Sequence, residues 1–385
     1  MTRAVDESVD VLIVGAGPAG CSAAIAAAQL GRSVVLVERH ALPRYKVCGG
    51  GLIGLSQSAL PDGFDLPVRA IAQRATLTRN LRHAVTREAK TSLFPLVMRE
   101  EFDAALVDHA TAMGVDVRTG VRVDSLAQEG GSVRVQTATG SILAGAVVGA
   151  DGSASRVARH VSVSYARVDL GFEAEIDVPD DVARSWPGRI LLDFGTIPGG
   201  YAWIFPKGDQ LTVGSIVTRG HGDAQRTYLE QLLDAHGLAR FPVRRQGGHL
   251  TRCRTRGSRL GSGRVVLAGD AAGLLEPWTR EGISFALRSG RLAGQAAAAM
   301  AIDEAPANTI QAEYADAIEA HMGREMAAGE HALQAYERHP GTFHRLLASS
   351  SIGWRSFERL CRGEATLAGA QERAVVRGAL RILGR

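Results

Sequence analysis

Six residues near the start of the chain, Gly15-Ala16-Gly17-Pro18-Ala19-Gly20, can bring backbone amides up to a phosphate. They follow the apolar run VDVLIV (9–14) and precede an alanine-rich stretch, Cys21–Leu30, that predicts a helix. In that setting Gly15 permits a tight turn and Gly17 lets N–H groups reach a pyrophosphate. Gly20 lets the helix pack closely on the strand, with its N-terminal dipole favouring negative charge. Gly31 ends the helix, a second buried strand Ser33–Val37 follows, and Glu38 closes it where a carboxylate would meet a ribose. The alternative is a glycine-rich turn without a ligand. The context favours a dinucleotide, without saying which one.

Two later stretches repeat the strand-and-turn logic. GADGSASRVAR (149–159) places Asp151 and Gly152 after a strand, with Ser155 and Arg156 on the turn. RVVLAGDAAG (264–273) places Gly269 and Asp270 after a strand and before a predicted helix start. A carboxylate there can face sugar hydroxyls while a helix N-terminus faces phosphate. Either Asp also suits a plain helix N-cap. The order of the three motifs resembles the FAD-binding signature of the aromatic hydroxylase superfamily, over residues 9 to about 300. That resemblance implies an FAD site and a cofactor role for Arg99, which opens the helical stretch MREEFD. The implied cofactor set also takes in Ala19, Arg39, Arg44, Cys48, Gly49, Val123, Gly282 and Ile283.

Further stretches narrow the resemblance. PRYKVCGGGL (43–52), PGGYAWIFPKG (198–208) and EPWTREGISFALRSG (276–290) are similar to the geranylgeranyl reductase family, which saturates isoprenoid double bonds with reduced FAD. The family's P-x-x-Y-x-W pattern is present as Pro198, Tyr201 and Trp203, continuing to Phe205. On a strand these three aromatics share one face and suit a wall for a long apolar substrate; filling a sheet core is the other reading. The glycines 49–51 would let backbone pass along a flavin ring, and Arg44 and Lys46 would meet a cofactor phosphate or an anionic head. Cys48 is either a small packing thiol or a catalytic proton donor. The family's usual Gly-Glu-Gly is here Arg280-Glu281-Gly282. Arg280 either orients a substrate anion or is a solvated neighbour of Glu281.

These resemblances imply an FAD-dependent reductase, with Cys48, Tyr201 and Trp203 as candidate catalytic residues. Tyr201, Trp203, Phe205 and Arg280 are candidate substrate contacts. Tyr201, Cys48 and a bound water remain open as proton sources. No second GxGxxG is present, so NAD(P)H binding transiently or a ferredoxin-like donor is expected to reduce the flavin. The rivals are a flavin monooxygenase or halogenase acting on an aromatic or polyketide substrate, and a redox sensor using Cys48.

The elements that must position these residues are predicted as an α/β fold. A Rossmann-like FAD-binding domain (1–58, 93–165, 255–300) interleaves with a mixed or antiparallel substrate sheet (59–92, 166–254), and 301–385 is helical. Glycine is abundant, 45 of 385 residues against a usual share of about 7%, which suits tight loops. The formal net charge of +4 comes from interspersed charges, so no nucleic-acid footprint is expected. Cys21, Cys48, Cys253 and Cys361 lie far apart, and no metal site or disulfide framework is expected. The N-terminus has no leader pattern and no stretch is long enough to span a bilayer, so a cytoplasmic protein is expected. Its tail LAGAQERAVVRGALRILGR spaces Arg373, Arg377, Arg381 and Arg385 four apart, which suits peripheral contact with the inner face of a membrane or docking on the protein body. The sequence leaves the oligomeric state open.

Overall fold

The computed structural model describes residues 7–372, so the arginines of the basic tail lie outside the described residues. Two large sheets organise the chain. In the first, strands run parallel in the order Val265–Leu267, Gly140–Gly149, Glu7–Val14, Val34–Glu38, Asp116–Thr119. A meander of Val123–Glu129 and Ser132–Thr137 returns antiparallel to Gly140–Gly149. Val11, Leu12 and Ile13 are fully buried, as strands covered on both faces require.

Helix Pro18–Gln29 begins three residues before the expected Cys21, because Pro18 is accepted at the first helical position, where its missing N–H costs nothing. It packs on helix Ile283–Ala301 through small residues on both sides. A Cβ on Gly290 would strike the carbonyl of Ala19, and one on Gly294 that of Ala23. The Ser22 hydroxyl donates to the Leu287 carbonyl across this contact at 2.7 Å. Sequence-distant segments are thereby locked together around the N-terminus of the first helix.

The second sheet has seven strands, antiparallel except where Arg189–Phe194 runs parallel to Arg74–Arg79. Tyr201–Pro206 lies at its centre between Arg189–Phe194 and Gln210–Thr218. Its outer face carries helix Gly222–Ala235, which reads from sequence as part of a strand-rich region yet buries Tyr228, Leu229 and Leu232 at helical spacing. Strands therefore alternate between sheets along the chain, which gives the interleaved α/β architecture.

The C-terminal region is helical, with Pro340 starting one helix and Ser350 capping the next through its hydroxyl on the Gly353 N–H. It docks on the second sheet: the Trp354 indole N–H donates to the Glu88 carbonyl at 3.2 Å. GDAAG does not open a helix as expected. It forms a single 3-10 turn, Gly269–Ala272, and an irregular segment separates it from the helix at Ile283.

Candidate active site

Both sheets face one cavity of about 960 Å³, at the upper end of the ~300–1,000 Å³ usual for ligand sites. At one end lies the turn of the first glycine motif. Gly15 has φ +105°, and a Cβ there would lie 2.5 Å from the Ala150 carbonyl oxygen. Gly20 presses on the Gly15 carbonyl, so a side chain there is excluded. Gly17 differs: a Cβ would meet only Arg44 Nη2, at 3.7 Å. Gly17 is also the N-cap of its helix, with no side-chain cap, so first-turn N–H groups remain free for an anion. Gly152, at φ +76°, has nothing within 4 Å of its Cβ position. This open cradle and uncapped helix fit a dinucleotide pyrophosphate.

Charged groups ring that cradle. Glu38 is buried and accepts from the Ala16 N–H at 3.0 Å and the His40 N–H at 3.1 Å. Arg44 bridges Glu38 at 3.5 Å and Asp103 at 3.0 Å. Arg99 forks onto Asp103 at 2.9 and 3.0 Å. Arg39 and Val123 also line the cavity, as do Ala19 and Asp151. Asp151, however, turns its carboxylate to the Arg156 N–H at 2.7 Å and to the Ser155 hydroxyl, which is the capping alternative. Asp270 faces His249, whose Nε2 lies 3.4 Å from Asp270 Oδ2 and 2.9 Å from Lys46 Nζ. Burial works to raise Asp270, but His249 and Lys46 outweigh it and hold the carboxyl at about 2. Burial, then Lys46, push His249 below its ordinary value, so it is neutral at pH 7. No histidine spacing in the sequence signals His249; it reaches the site through the strand Val243–Arg254.

The glycines 49–51 line the cavity and also press against protein on their other side. A Cβ on Gly49 would lie 3.0 Å from Phe205 and 3.2 Å from Trp203 Nε1; one on Gly51 would lie 3.0 Å from Phe94. Gly50, at φ +71°, presses against the Val97 carbonyl and lies 2.8 Å by its Cβ position from Lys207 Nζ. The loop is thus held between the second sheet and the strand Phe94–Val97 of a small two-stranded sheet. Cys48 lines the cavity beside it, its N–H donating to Glu173 Oε1 at 2.7 Å and its Sγ accepting from the Gly50 N–H at 3.4 Å.

Tyr201, Trp203 and Phe205 do share one face, with centroids 5.8 and 6.3 Å apart. The indole lies over Gly214 on the neighbouring strand, where any side chain would collide with it; a glycine opposite an aromatic is the signal that marks this residue in hindsight. The Tyr201 hydroxyl donates to the Thr279 carbonyl. Beyond the aromatics the cavity continues between Phe94, Phe194, Leu347, Phe357 and Leu360.

Arg280 is not the solvated neighbour of Glu281 that one expectation made it; it lines the cavity with its guanidinium held from behind, Nε meeting Asp169 at 3.1 Å, Nη1 the Trp278 carbonyl at 2.7 Å and Nη2 the Gly199 carbonyl at 2.8 Å. Its side chain is 2% exposed and its φ is +56°. Glu281 points elsewhere, into the cavity by Ser56. Gly282 caps the helix that starts at Ile283, and both line the site. Among the described residues no cluster of metal-ligating side chains occurs.

An uncapped helix N-terminus over an open glycine, carboxylates at two strand ends and an adjoining aromatic-walled arm describe a flavoprotein, and residues 8–184 match the FAD binding domain family. The chain is an FAD-dependent oxidoreductase. It belongs to the geranylgeranyl reductase family. It is 30% identical to the chloroplastic geranylgeranyl diphosphate reductase of Oryza sativa over 74% of this chain and 65% of that enzyme. It is likewise 30% identical to the digeranylgeranylglycerophospholipid reductase of Methanosphaerula palustris, over 75% of this chain and 76% of that protein. A geranylgeranyl bacteriochlorophyll reductase-like protein from Thermoplasma acidophilum shares the fold at TM-score 0.80 and 20% identity, covering 98% of this chain and 99% of that one. A flavin-dependent brominase variant superposes at TM-score 0.71 with 16% identity, covering 97% and 99%, which shows a common fold.

Proposed function

We propose that this oxidoreductase saturates carbon–carbon double bonds of an isoprenoid chain. The observation that carries the reading is the apolar arm: Tyr201, Trp203 and Phe205 lead from the glycine cradle into a space bounded by Phe94, Phe194, Leu347, Phe357 and Leu360. A prenyl chain offers nothing but apolar surface and π bonds, and burial of such surface yields about 25 cal/mol per Å². The relatives named for geranylgeranyl and digeranylgeranyl substrates support the same class.

In this reading Gly15, Gly17, Ala19 and the N-terminus of helix Pro18–Gln29 hold the FAD pyrophosphate, with Arg44 beside it. Glu38 and Asp270 face its sugar and ribityl hydroxyls. Gly282 and Ile283 sit at the second helix N-terminus, whose dipole favours negative charge. Reduced FAD, when bound, supplies the hydride equivalent. The aromatic wall orients the alkene and the C-terminal helices exclude water, so positioning contributes much of the rate. An external donor, NAD(P)H or a ferredoxin-like protein, is needed to reduce the flavin.

The test is anaerobic incubation of the reduced holoenzyme with geranylgeranyl diphosphate, read by mass spectrometry. The expected product gains two mass units per bond. Flavin reoxidation without that gain refutes the reading, and a product that gains oxygen or halogen under air assigns the monooxygenase or halogenase chemistry instead.

A further inference from the structure

An unactivated alkene that accepts a hydride also needs a proton, and the groups around the cavity differ in whether they have one to give. Tyr201 directs its hydroxyl proton at the Thr279 carbonyl. Glu276 accepts from the Trp278 N–H at 2.9 Å, the Thr279 N–H at 2.6 Å and the Thr279 hydroxyl, so both its oxygens are engaged. Glu173 Oε1 accepts from Cys48 and Tyr45, while Oε2 is sealed from the cavity without a partner. The Cys48 sulfur accepts from the Gly50 N–H and its thiol keeps a proton of its own, on a loop held against Phe205 and the Val97 carbonyl.

Glu281 differs from all of these. It stands on the turn before helix Ile283–Ala301, and its carboxyl lines the cavity. Oε1 accepts from the Ser284 N–H at 2.6 Å and lies 3.4 Å from the Ser56 hydroxyl. Among the described residues Oε2 has no protein partner and no cation forms an ion pair with the group. We propose that Glu281 is the proton donor for alkene reduction, delivering the proton on Oε2 to one alkene carbon while the other carbon takes hydride from the reduced flavin.

The step balances. The alkene π pair forms a C–H bond with the Glu281 proton as the carboxyl O–H breaks. The hydride carries its own pair into the second C–H bond, leaving oxidised flavin. The resulting carboxylate takes a proton back from solvent through the cavity. The environment keeps the acid form populated. Burial raises Glu281 most and the neighbouring Glu276 carboxyl adds to it, against the Ser284 N–H, the Ser56 hydroxyl and the Arg288 guanidinium, with a result of about 8. Arg280 gives no relief, being clamped to Asp169. Arg288 itself is lowered by burial, its charge shared with Glu281 and Glu325.

This assignment rests on the reductase reading, and the experiment separates the two. Wild-type holoenzyme, photoreduced anaerobically, is mixed with geranylgeranyl diphosphate and flavin reoxidation is followed from pH 6 to 9, alongside Glu281→Gln and Glu281→Asp. Gln keeps the acceptor for Ser284 but holds no acidic proton. The expected result is single-turnover reoxidation slowed at least about 100-fold in Glu281→Gln, partial rescue by Asp, and a wild-type rate that falls as pH rises through about 8. A second readout needs no turnover: the infrared band of a protonated carboxyl in wild type is expected to titrate near that pH and to vanish in Glu281→Gln. Wild type that saturates no isoprenoid overturns the reductase reading and the donor with it. Wild-type turnover with Glu281→Gln within threefold overturns the donor alone. Should Glu281→Gln lose its FAD, the infrared titration and the wild-type pH profile decide, and an absent band or a flat profile overturns the donor.

Discussion

Arg280 stands where the family resemblance leads one to expect glycine, and its φ of +56° says why glycine suits that position. An L-residue held in the left-handed region costs about 1–2 kcal/mol per residue. The side chain offsets this with a buried clamp on Asp169, Trp278 and Gly199. Breaking a buried ion pair costs about 3–5 kcal/mol when a charge is left uncompensated. Asp169 keeps Arg167, at 2.9 and 3.0 Å, so the lower end of that range, about 3 kcal/mol, applies. Arg280→Ala loses the clamp and retains the strained backbone, which predicts a loss of about 3 kcal/mol. Arg280→Gly loses the clamp and releases the strain, which predicts a net loss of only about 1–2 kcal/mol. The assay is urea unfolding of both variants and wild type at matched FAD concentration, since bound cofactor adds to apparent stability. Arg280→Gly as stable as wild type refutes the clamp. Equal stability of the Ala and Gly variants refutes the strain.

Gly17→Ala is expected to leave apo-protein stability nearly unchanged, because only Arg44 lies near the new methyl, while FAD affinity measured by fluorescence titration falls at least tenfold; unchanged affinity refutes the cradle. Gly20→Ala, which drives a methyl into the Gly15 carbonyl, is expected to yield little folded protein, and a soluble, FAD-replete Gly20→Ala would contradict the packing. Tyr201→Phe leaves the Thr279 carbonyl without its donor and is expected to cost about 1–3 kcal/mol of stability while single-turnover reoxidation slows less than tenfold; a slowing comparable to that of Glu281→Gln would make Tyr201 the proton source. Asp270 titrates at about 2 in the fold against an ordinary 3.8, so it contributes stability above about pH 4 that is lost as pH falls toward 2. Asp270→Asn is therefore expected to lower the urea midpoint of the apo-protein at pH 6 and to differ less from wild type at pH 3; a gap that is constant with pH refutes the linkage.

The parts of the site that local patterns specify were readable in advance. GAGPAG with Glu38, the alternation of Tyr201, Trp203 and Phe205, and the apolar runs of both sheets each express a period or a turn within a few residues. What stayed hidden depends on tertiary approach. His249 meets Asp270 and Lys46 from a strand about 200 residues beyond Lys46, and no spacing announces it. Arg280 looks like a surface charge until the carbonyls of Trp278 and Gly199 are seen to converge on it. Asp151 follows a strand as Asp270 does, yet its carboxylate caps a helix, accepting from the Arg156 N–H at 2.7 Å and from the Ser155 hydroxyl.

The three glycines 49–51 join the aromatic strand Tyr201–Pro206 to the strand Phe94–Val97 at the edge of the site. Gly50 is excluded from carrying a side chain by the Val97 carbonyl and its φ of +71°, while Gly49 and Gly51 sit tightly against Phe205 and Phe94, which a new Cβ would have to displace by a few tenths of an ångström. The Val97 N–H returns a hydrogen bond to the Gly50 carbonyl at 2.9 Å, and only Met98, the N-cap, separates Val97 from the helix that carries Arg99 and Asp103. The Asp103 carboxylate in turn holds Arg44, at the head of the same loop. The loop, the aromatic wall and the charged end of the cradle therefore form a closed circuit of contacts. A side chain added at Gly50 would drive the loop off the Val97 carbonyl and move Cys48 relative to the wall and Arg44 relative to Gly17, so this glycine sets the distance between cofactor end and substrate arm.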